Sequence, residues 1–380
     1  MNKDKIWLSL PHMGGGELKY IQQALDTNWV APVGMNLTKF EEAIETYLGC
    51  GHVAVLNSGT AAIHLGLLLL GVVAGDEVIC QTMTFAASAN PILYLGATPI
   101  FIDSELETWN LCPVALEEAI MDRMANGKKP KVIVAVDLYG VPYKKDEVRA
   151  IADKYGIPIL EDSAESLGSS YYGKKCGTFG DVSVLSFNGS KIITTSGGGA
   201  LVTKSKELKE KAIFWATQSK EAALHYQHQE LGYNYRMSNV SAGIGRGQME
   251  VLKEHVTLRR NVHEFYVTLF KACQGVTVFS VPNAHYFSNY WLTTILVHPE
   301  LTNGIKREDV SKALLANNIE SRPLMKPLHL QPVFEKHFYY GRGNAAALFD
   351  GGLCLPSSSN LTTDEQRSIK KVFQELFSLA

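Results

Sequence analysis

The stretch "KVIVAVDLYGVPYKKDEVRAIADKYGIPILED", Lys131–Asp162, contains the repeating unit of the fold. "KVIVAVDL" and "GIPILED" are short, continuous apolar runs, and "KKDEVRAIADKYG" between them has helical periodicity. Strand, helix, strand in that order predicts two parallel neighbours joined by a crossover helix. Runs without polar alternation predict strands buried on both faces. The pattern extends from about residue 50 to 205, with further strands expected at "HVAVLN", "DEVICQ", "ATPIFID", "VSVLSF" and "GGALVT". The expected class is α/β, with a mostly parallel sheet covered by helices. Ligands of such sheets sit beyond the carboxyl ends of the strands, so the residues there matter most.

Outside this core, "NLTKFEEAIETYL" offers a capping box, Thr38 with Glu41, as the start of an amphipathic helix. "SNVSAGIGRGQMEVLKEHVTLRRNVHEFYVTLF" reads as one long helix or two abutting ones, bridging to a second domain. Strand-like "GVTVFS" and "YWLTTILVH", helical "REDVSKALLANN" and a final helix capped by Thr362 and Glu365 then predict a smaller α+β domain. The expected division is 1–250 for the large domain and 251–380 for the small one.

Composition excludes several classes. The chain has 380 residues, 46% hydrophobic and 19% charged, with net charge −2. No basic excess or basic stripe points to nucleic acid. The six cysteines are scattered without a CxxC pair, so neither a zinc site nor a disulfide framework is expected. His225 and His228 stand three apart with no third ligand nearby in sequence, and no metal site is expected. "MNKDKIWLSLPHMGGGE" lacks the apolar core of a signal peptide, and "LGLLLLGVVAG" is too short to span a bilayer. A cytoplasmic protein that does not engage membranes is expected.

Four features carry the chemistry. "NSGTAAIHLGL" ends a strand and opens a helix, and its small residues Ser58, Gly59, Thr60 and Ala61 suit a phosphate at a helix N-terminus. A simple N-cap would look the same. "TMTFAASAN" puts Phe85 at a strand end, where it could stack on a flat ring or belong to the core. "IPILEDSAESLG" ends an apolar strand in Glu161-Asp162, and a buried carboxylate there needs a cationic partner. A protonated heterocyclic nitrogen or a structural salt bridge would each serve. "LSFNGSKIITTSGGGALVT" places Lys191 after a strand and a tight turn, with Ser186 five residues before it and glycines at 197–199 permitting close backbone approach. Lys191 is either a solvated strand-end charge or an amine in a closed site, where desolvation favours the nucleophilic form. Together the four make a phosphate cradle, a ring stack, a partner for a pyridine nitrogen and a Schiff-base lysine, the parts of a pyridoxal-phosphate site.

These segments resemble the DegT/DnrJ/EryC1/StrS family of sugar aminotransferases, which have the aspartate-aminotransferase-like fold. The resemblance covers nearly the whole length, including "GYNYRMSNVSAGIGRGQMEVL", "RPLMKPLHLQPVF" and "LCLPSSSNLT". It implies pyridoxal 5'-phosphate as cofactor, Lys191 as its covalent anchor, Asp162 as partner of the pyridine nitrogen and Phe85 over the ring. It implies phosphate contacts from Gly59, Thr60 and Ser186, and from Asn234 of the neighbouring subunit in a homodimer with shared sites. Glu165 stands where the family commonly has Gln or His beside the ring hydroxyl, and "TSGGG" replaces the commoner "TxGEGG". With "SFNGSK", these variants look most like the branch acting on UDP-linked 4-keto-6-deoxy-N-acetylhexosamines. The implied reaction moves the amino group of L-glutamate, by way of pyridoxamine phosphate, to the sugar's C4 ketone. GDP- or dTDP-linked sugars and a C3 ketone are alternatives.

Arg236 and Arg322 could bind the glutamate carboxylate or the sugar diphosphate, or form structural ion pairs. His329 resembles the family's "PLH" histidine near the substrate. Related dehydrases have histidine where this chain has Lys191, so the lysine argues for transamination. A non-catalytic sensor or scaffold is disfavoured by the intact lysine and aspartate. A nicotinamide dehydrogenase is disfavoured because "TTSGGGALVT" runs into a strand rather than a helix.

Overall fold

A computed structural model describes residues 5–378. Residues 1–4, which begin the stretch read above for a signal peptide, and 379–380 lie outside the described residues. Among the described residues up to 205, nine strands form: β1 His52–Leu56, β2 Glu77–Gln81, β3 Thr98–Ile102, β4 Val132–Val136, β5 Ile159–Asp162, β6 Ser170–Tyr171, β7 Lys174–Lys175, β8 Val182–Ser186 and β9 Gly199–Thr203. Six follow the long helix: β10 Val276–Val278, β11 Tyr286–Phe287, β12 Thr294–Val297, β13 Arg322–Pro323, β14 Tyr339–Tyr340 and β15 Gly352–Cys354. All seven strands expected between residues 50 and 205 are present. Together with β14 they make an eight-stranded sheet of order β1-β9-β8-β5-β4-β2-β3-β14, parallel from β8 to β14, with β9 antiparallel to both β1 and β8.

Both faces of this sheet are covered. Val53 and Val55 join one apolar core with Phe40, Ile44 and Phe187, whereas Ala54 and Leu56 join another with Ile63 and Leu65. Successive side chains of a strand point to opposite faces, so residues of both parities must be apolar. That requirement is the cause of the continuous runs seen in the sequence. No helix among the described residues is long and apolar enough to cross a membrane.

The long segment after residue 238 is one helix, Asn239–Phe270, which runs unbroken through the boundary expected at 250. Beyond it β10, β12, β15 and β13 form a second, antiparallel sheet. The chain then returns to the first sheet, where β14 pairs in parallel with β3 through Tyr339↔Phe101 and Tyr340↔Ile102. A two-residue strand leaves no periodicity to read, and this return was not expected from the sequence.

One expected cap is different in the structure. The helix thought to open at Thr38 spans Met35–Leu48. Gly34, at φ +144, turns the chain into it, and the side-chain oxygen of Asn239 accepts from the Asn36 amide at 2.9 Å. A cap supplied from two hundred residues away replaces the local box. Glu41 instead accepts from the Val55 amide at 3.0 Å and pairs with Arg236 at 2.6 Å. The Thr362–Glu365 box forms as expected.

Candidate active site

A cavity of about 280 Å³ opens beyond the carboxyl ends of β2, β4, β5 and β8. Gly59, Thr60, Phe85, Asp162, Glu165, Ser186 and Lys191 all line it. They come from four separate stretches of sequence, brought together by the parallel strand order.

The phosphate end is a helix start. The helix Gly59–Leu69 follows β1 directly, and Ser58 caps it by accepting from the Ala61 amide at 3.0 Å. Ser58 is therefore the N-cap, while Gly59 and Thr60 present the first turn to the cavity with the positive end of the helix dipole. A Cβ on Gly59 would lie 3.2 Å from Ser186 Cβ, so the bare glycine keeps this corner open. Gly199 passes still closer to the cap: a Cβ there would lie 2.5 Å from Gly59 N. This close approach explains why β9 must begin with glycine.

Two acids ending the same strand have opposite environments. Glu161 is fully buried and receives Lys145 Nζ at 2.6 Å, and Lys145 also reaches Asp137 at 2.7 Å. Burial alone would raise the Glu161 pKa, but Lys145, the Gly177 amide and the Ser183 hydroxyl hold it at about 2. Glu161, Asp137 and Cys176 are close enough to hold a metal, but the Lys145 ammonium is bonded to both acids. Asp162 is buried too, accepting from Ser88 Oγ at 2.7 Å and the Ala164 amide at 3.1 Å. No ion pair to Asp162 is present among the described residues. Burial pushes its pKa up, offset in part by Ser88, the Ala164 amide and the charge of Lys191. A carboxylate facing a cavity in this state fits a small cation, and a protonated pyridine nitrogen is one. The salt-bridge alternative applies to Glu161, and Asp162 keeps the ligand-facing role open.

Lys191 leaves β8 through a turn in which its amide donates to Asn188 O at 3.0 Å. Its side chain is 14% exposed, with Nζ 3.2 Å from Glu165 Oε1 and 4.0 Å from the centre of the Trp291 ring. The solvated strand-end alternative is thereby removed. Glu165 is buried, and its other oxygen accepts from the Tyr139 amide at 2.7 Å. Tyr139 is held at φ +54, an uncommon backbone state for a bulky residue that aims this N–H at the carboxylate. Burial raises the Glu165 pKa despite the nearby lysine. Phe85 sits at the cavity mouth and is 65% exposed in the single chain.

The remaining residues singled out in the sequence lie elsewhere. Asn234 is exposed and does not line this cavity; its carbonyl accepts from Asn57 Nδ2 at 3.1 Å. Arg236 is engaged by Glu41 and by Val55 O at 2.8 Å, the structural alternative. Arg322 is 68% exposed and pairs with Glu320 at 2.8 Å. His329 Nδ1 lies 2.7 Å from Thr82 Oγ1, and its ring stacks on Tyr339 at 3.8 Å, joining the returning segment to the end of β2. Within the chain none of the three lines the cavity. His225 and His228 bond Gln227 and the Gln218 carbonyl. Ser88 and Trp291 were not foreseen. Ser88 stands three residues after Phe85, a spacing that a 3-10 turn brings back under the site. Trp291 has no local signal.

A helix N-terminus, an aromatic at the mouth, a buried acid without a cation and a lysine form one cavity at the strand ends of an α/β sheet. Such a set fits the phosphate, the ring, the pyridine nitrogen and the aldehyde of pyridoxal phosphate. The chain belongs to the DegT/DnrJ/EryC1/StrS aminotransferase family, whose model matches residues 11–374. EpsN of Bacillus subtilis strain 168, which carries the name of a pyridoxal phosphate-dependent aminotransferase, is 49% identical over 377 residues, 98% of this chain and 96% of EpsN. GDP-perosamine synthase of Escherichia coli O157:H7 is 34% identical, covering 97% of each chain. Among solved structures, Helicobacter pylori PseC, an aminotransferase involved in the biosynthesis of pseudoaminic acid, superposes with a TM-score of 0.89 at 26% identity, over 99% of this chain and 100% of that one.

Proposed function

We propose that the chain transfers the amino group of L-glutamate to the C4 ketone of UDP-2-acetamido-2,6-dideoxy-hexos-4-ulose, giving 2-oxoglutarate and the 4-amino sugar nucleotide. The carrying observation is that Lys191 and Asp162 line one cavity in the environments this chemistry needs. The UDP-linked N-acetylhexosamine rests on Glu165, "SFNGSK" and "TSGGG", the features in which the chain resembles that branch. The 34% identity to a GDP-perosamine synthase favours a second reading, a GDP-linked 4-keto sugar.

The bound cofactor supplies an aldehyde for the amine and a ring that delocalises the electron pair left when a proton leaves the substrate carbon. The chain does the rest. Lys191 would hold the aldehyde and, as a free amine, would take the proton from the substrate carbon and return it in both half-reactions. Asp162 accepts the hydrogen bond of the protonated ring nitrogen and keeps that proton in place. Gly59, Thr60 and Ser186 hold the phosphate, and Phe85 covers the ring. Glu165 would face the ring hydroxyl and would share a proton with it, because two anionic oxygens in contact would repel. In a homodimer, Asn234 of the partner subunit reaches the same phosphate. The compartment proposed for this work is the cytoplasm.

Two experiments test this reading. Purified protein with pyridoxal phosphate and glutamate is assayed against UDP-, GDP- and dTDP-linked 4-keto and 3-keto sugars. Turnover with the UDP-linked N-acetyl sugar is expected to exceed the rest; preference for a GDP sugar selects the second reading, and turnover of none refutes both. In E165Q the site loses one negative charge, so the pH midpoint of the bound cofactor's absorbance is expected to fall by about one unit. An unchanged titration would remove Glu165 from the ring hydroxyl.

A further inference from the structure

We propose that Thr84 and Ser88 are positioning residues for Asp162, a chain of two hydroxyls that fixes the carboxylate as the acceptor for the cofactor's ring nitrogen. Ser88 Oγ donates to Asp162 Oδ2 at 2.7 Å, and Thr84 Oγ1 lies 2.8 Å from Ser88 Oγ. Both residues are buried, and both line the cavity together with Asp162.

The chain has a direction. A hydroxyl carries one hydrogen, and an ionised carboxylate can only accept. Ser88 therefore gives its hydrogen to Asp162, and Thr84 must donate to Ser88. Hydrogen bonds in series polarise one another, so Thr84 strengthens a bond it does not itself make. The other oxygen of Asp162 is held separately, by the Ala164 amide at 3.1 Å. Two donors on two oxygens fix the plane of the carboxylate. Neither donor is charged, so the negative charge is left for a ligand.

The contact is made across the sheet. Ser88 follows the end of β2 and Asp162 ends β5, with β4 between them in the strand order. Ser88 closes the 3-10 turn Ala86–Ser88, its amide donating to Phe85 O at 3.0 Å. One turn thus carries both the aromatic at the cavity mouth and the donor to the acid. Two buried hydroxyls could satisfy each other without a carboxylate. Here they are spent on one that burial would otherwise neutralise: burial raises the pKa of Asp162, and Ser88 leads the groups that oppose it. The role rests on Asp162 meeting the ring nitrogen, as proposed above; the hydroxyl chain does not.

The test measures equilibrium binding of two ligands to the full chain freed of cofactor. One is pyridoxal 5'-phosphate, and the other is 1-deazapyridoxal 5'-phosphate, in which C–H replaces the ring nitrogen while the aldehyde, hydroxyl and phosphate remain. Wild type is expected to prefer the ligand with the nitrogen. In S88A that preference is expected to fall about tenfold, the size of one hydrogen bond to a charged group. In T84V, which keeps the shape of threonine and leaves Ser88 in place, it is expected to fall about threefold, the size of a neutral hydrogen bond. A merely structural role would weaken both ligands alike, and an unchanged ratio in S88A would overturn the proposal. Should S88A not fold, T84V decides it, and an unchanged ratio there would overturn it equally. D162N separates this inference from the reading beneath it. If D162N keeps the wild-type preference, Asp162 does not meet the ring nitrogen and that reading fails. If D162N abolishes the preference and S88A retains it, only the role of the two hydroxyls fails.

Discussion

Replacing Lys191 with alanine is expected to lower aminotransferase turnover by more than about a thousandfold, the upper range for loss of a positioned acid–base group. The expectation comes from geometry. The amine is nearly closed off from solvent, stands 3.2 Å from Glu165 and 4.0 Å from the Trp291 ring, and shares its cavity with a helix N-terminus and Asp162. Lys145, the other buried amine nearby, is bonded to Asp137 and Glu161 and is fixed by them. It cannot take over. The variant should still fold, since Lys191 contributes one ion pair that its removal leaves as a buried acid able to take up a proton. Steady-state assay with glutamate and the keto sugar measures the loss. Turnover of K191A at the wild-type rate would refute the mechanism.

Replacing Asp162 with asparagine is expected to act in opposite directions on activity and stability. Activity should fall by roughly a hundredfold or more, the usual effect of removing a preorganised electrostatic partner. The cofactor-free protein, however, should melt at a higher temperature than wild type near neutral pH. Burial raises the pKa of Asp162 in the folded state, so the ionised form opposes folding. For an acid shifted this way, stability is greatest below its ordinary pKa and declines as pH rises through the folded value. Asparagine has no charge to bury and still accepts from Ser88. The difference in melting temperature should vanish towards pH 3 and grow above it. A cofactor-free D162N that melts below wild type at pH 7 would mean that Asp162 has a structural partner.

The parts legible in the sequence were those set by neighbours along the chain. Strands β1 to β5, β8 and β9 showed themselves because burial on two faces forces unbroken apolar runs. Lys191 and Asp162 stood out because a charge ending such a run has no apolar reason to be there. Less local features did not show. Glu161 and Asp162 posed the same question, and the difference is Lys145, sixteen residues earlier on a helix, which reaches only the first. The Thr38 box lost to a long-range cap from Asn239. Trp291 and the return of β14 to the large sheet depend on how the C-terminal half packs against the N-terminal half. Arg236 and Arg322 were read as able to bind an anion or an acid, and within the chain each is paired with a glutamate.

The most direct measurement is borohydride reduction of the protein loaded with pyridoxal phosphate, followed by peptide mapping. The account predicts that the yellow colour bleaches and that a single pyridoxyl label appears on Lys191. A label on any other lysine, or a protein that binds the cofactor and acquires no label, would contradict it.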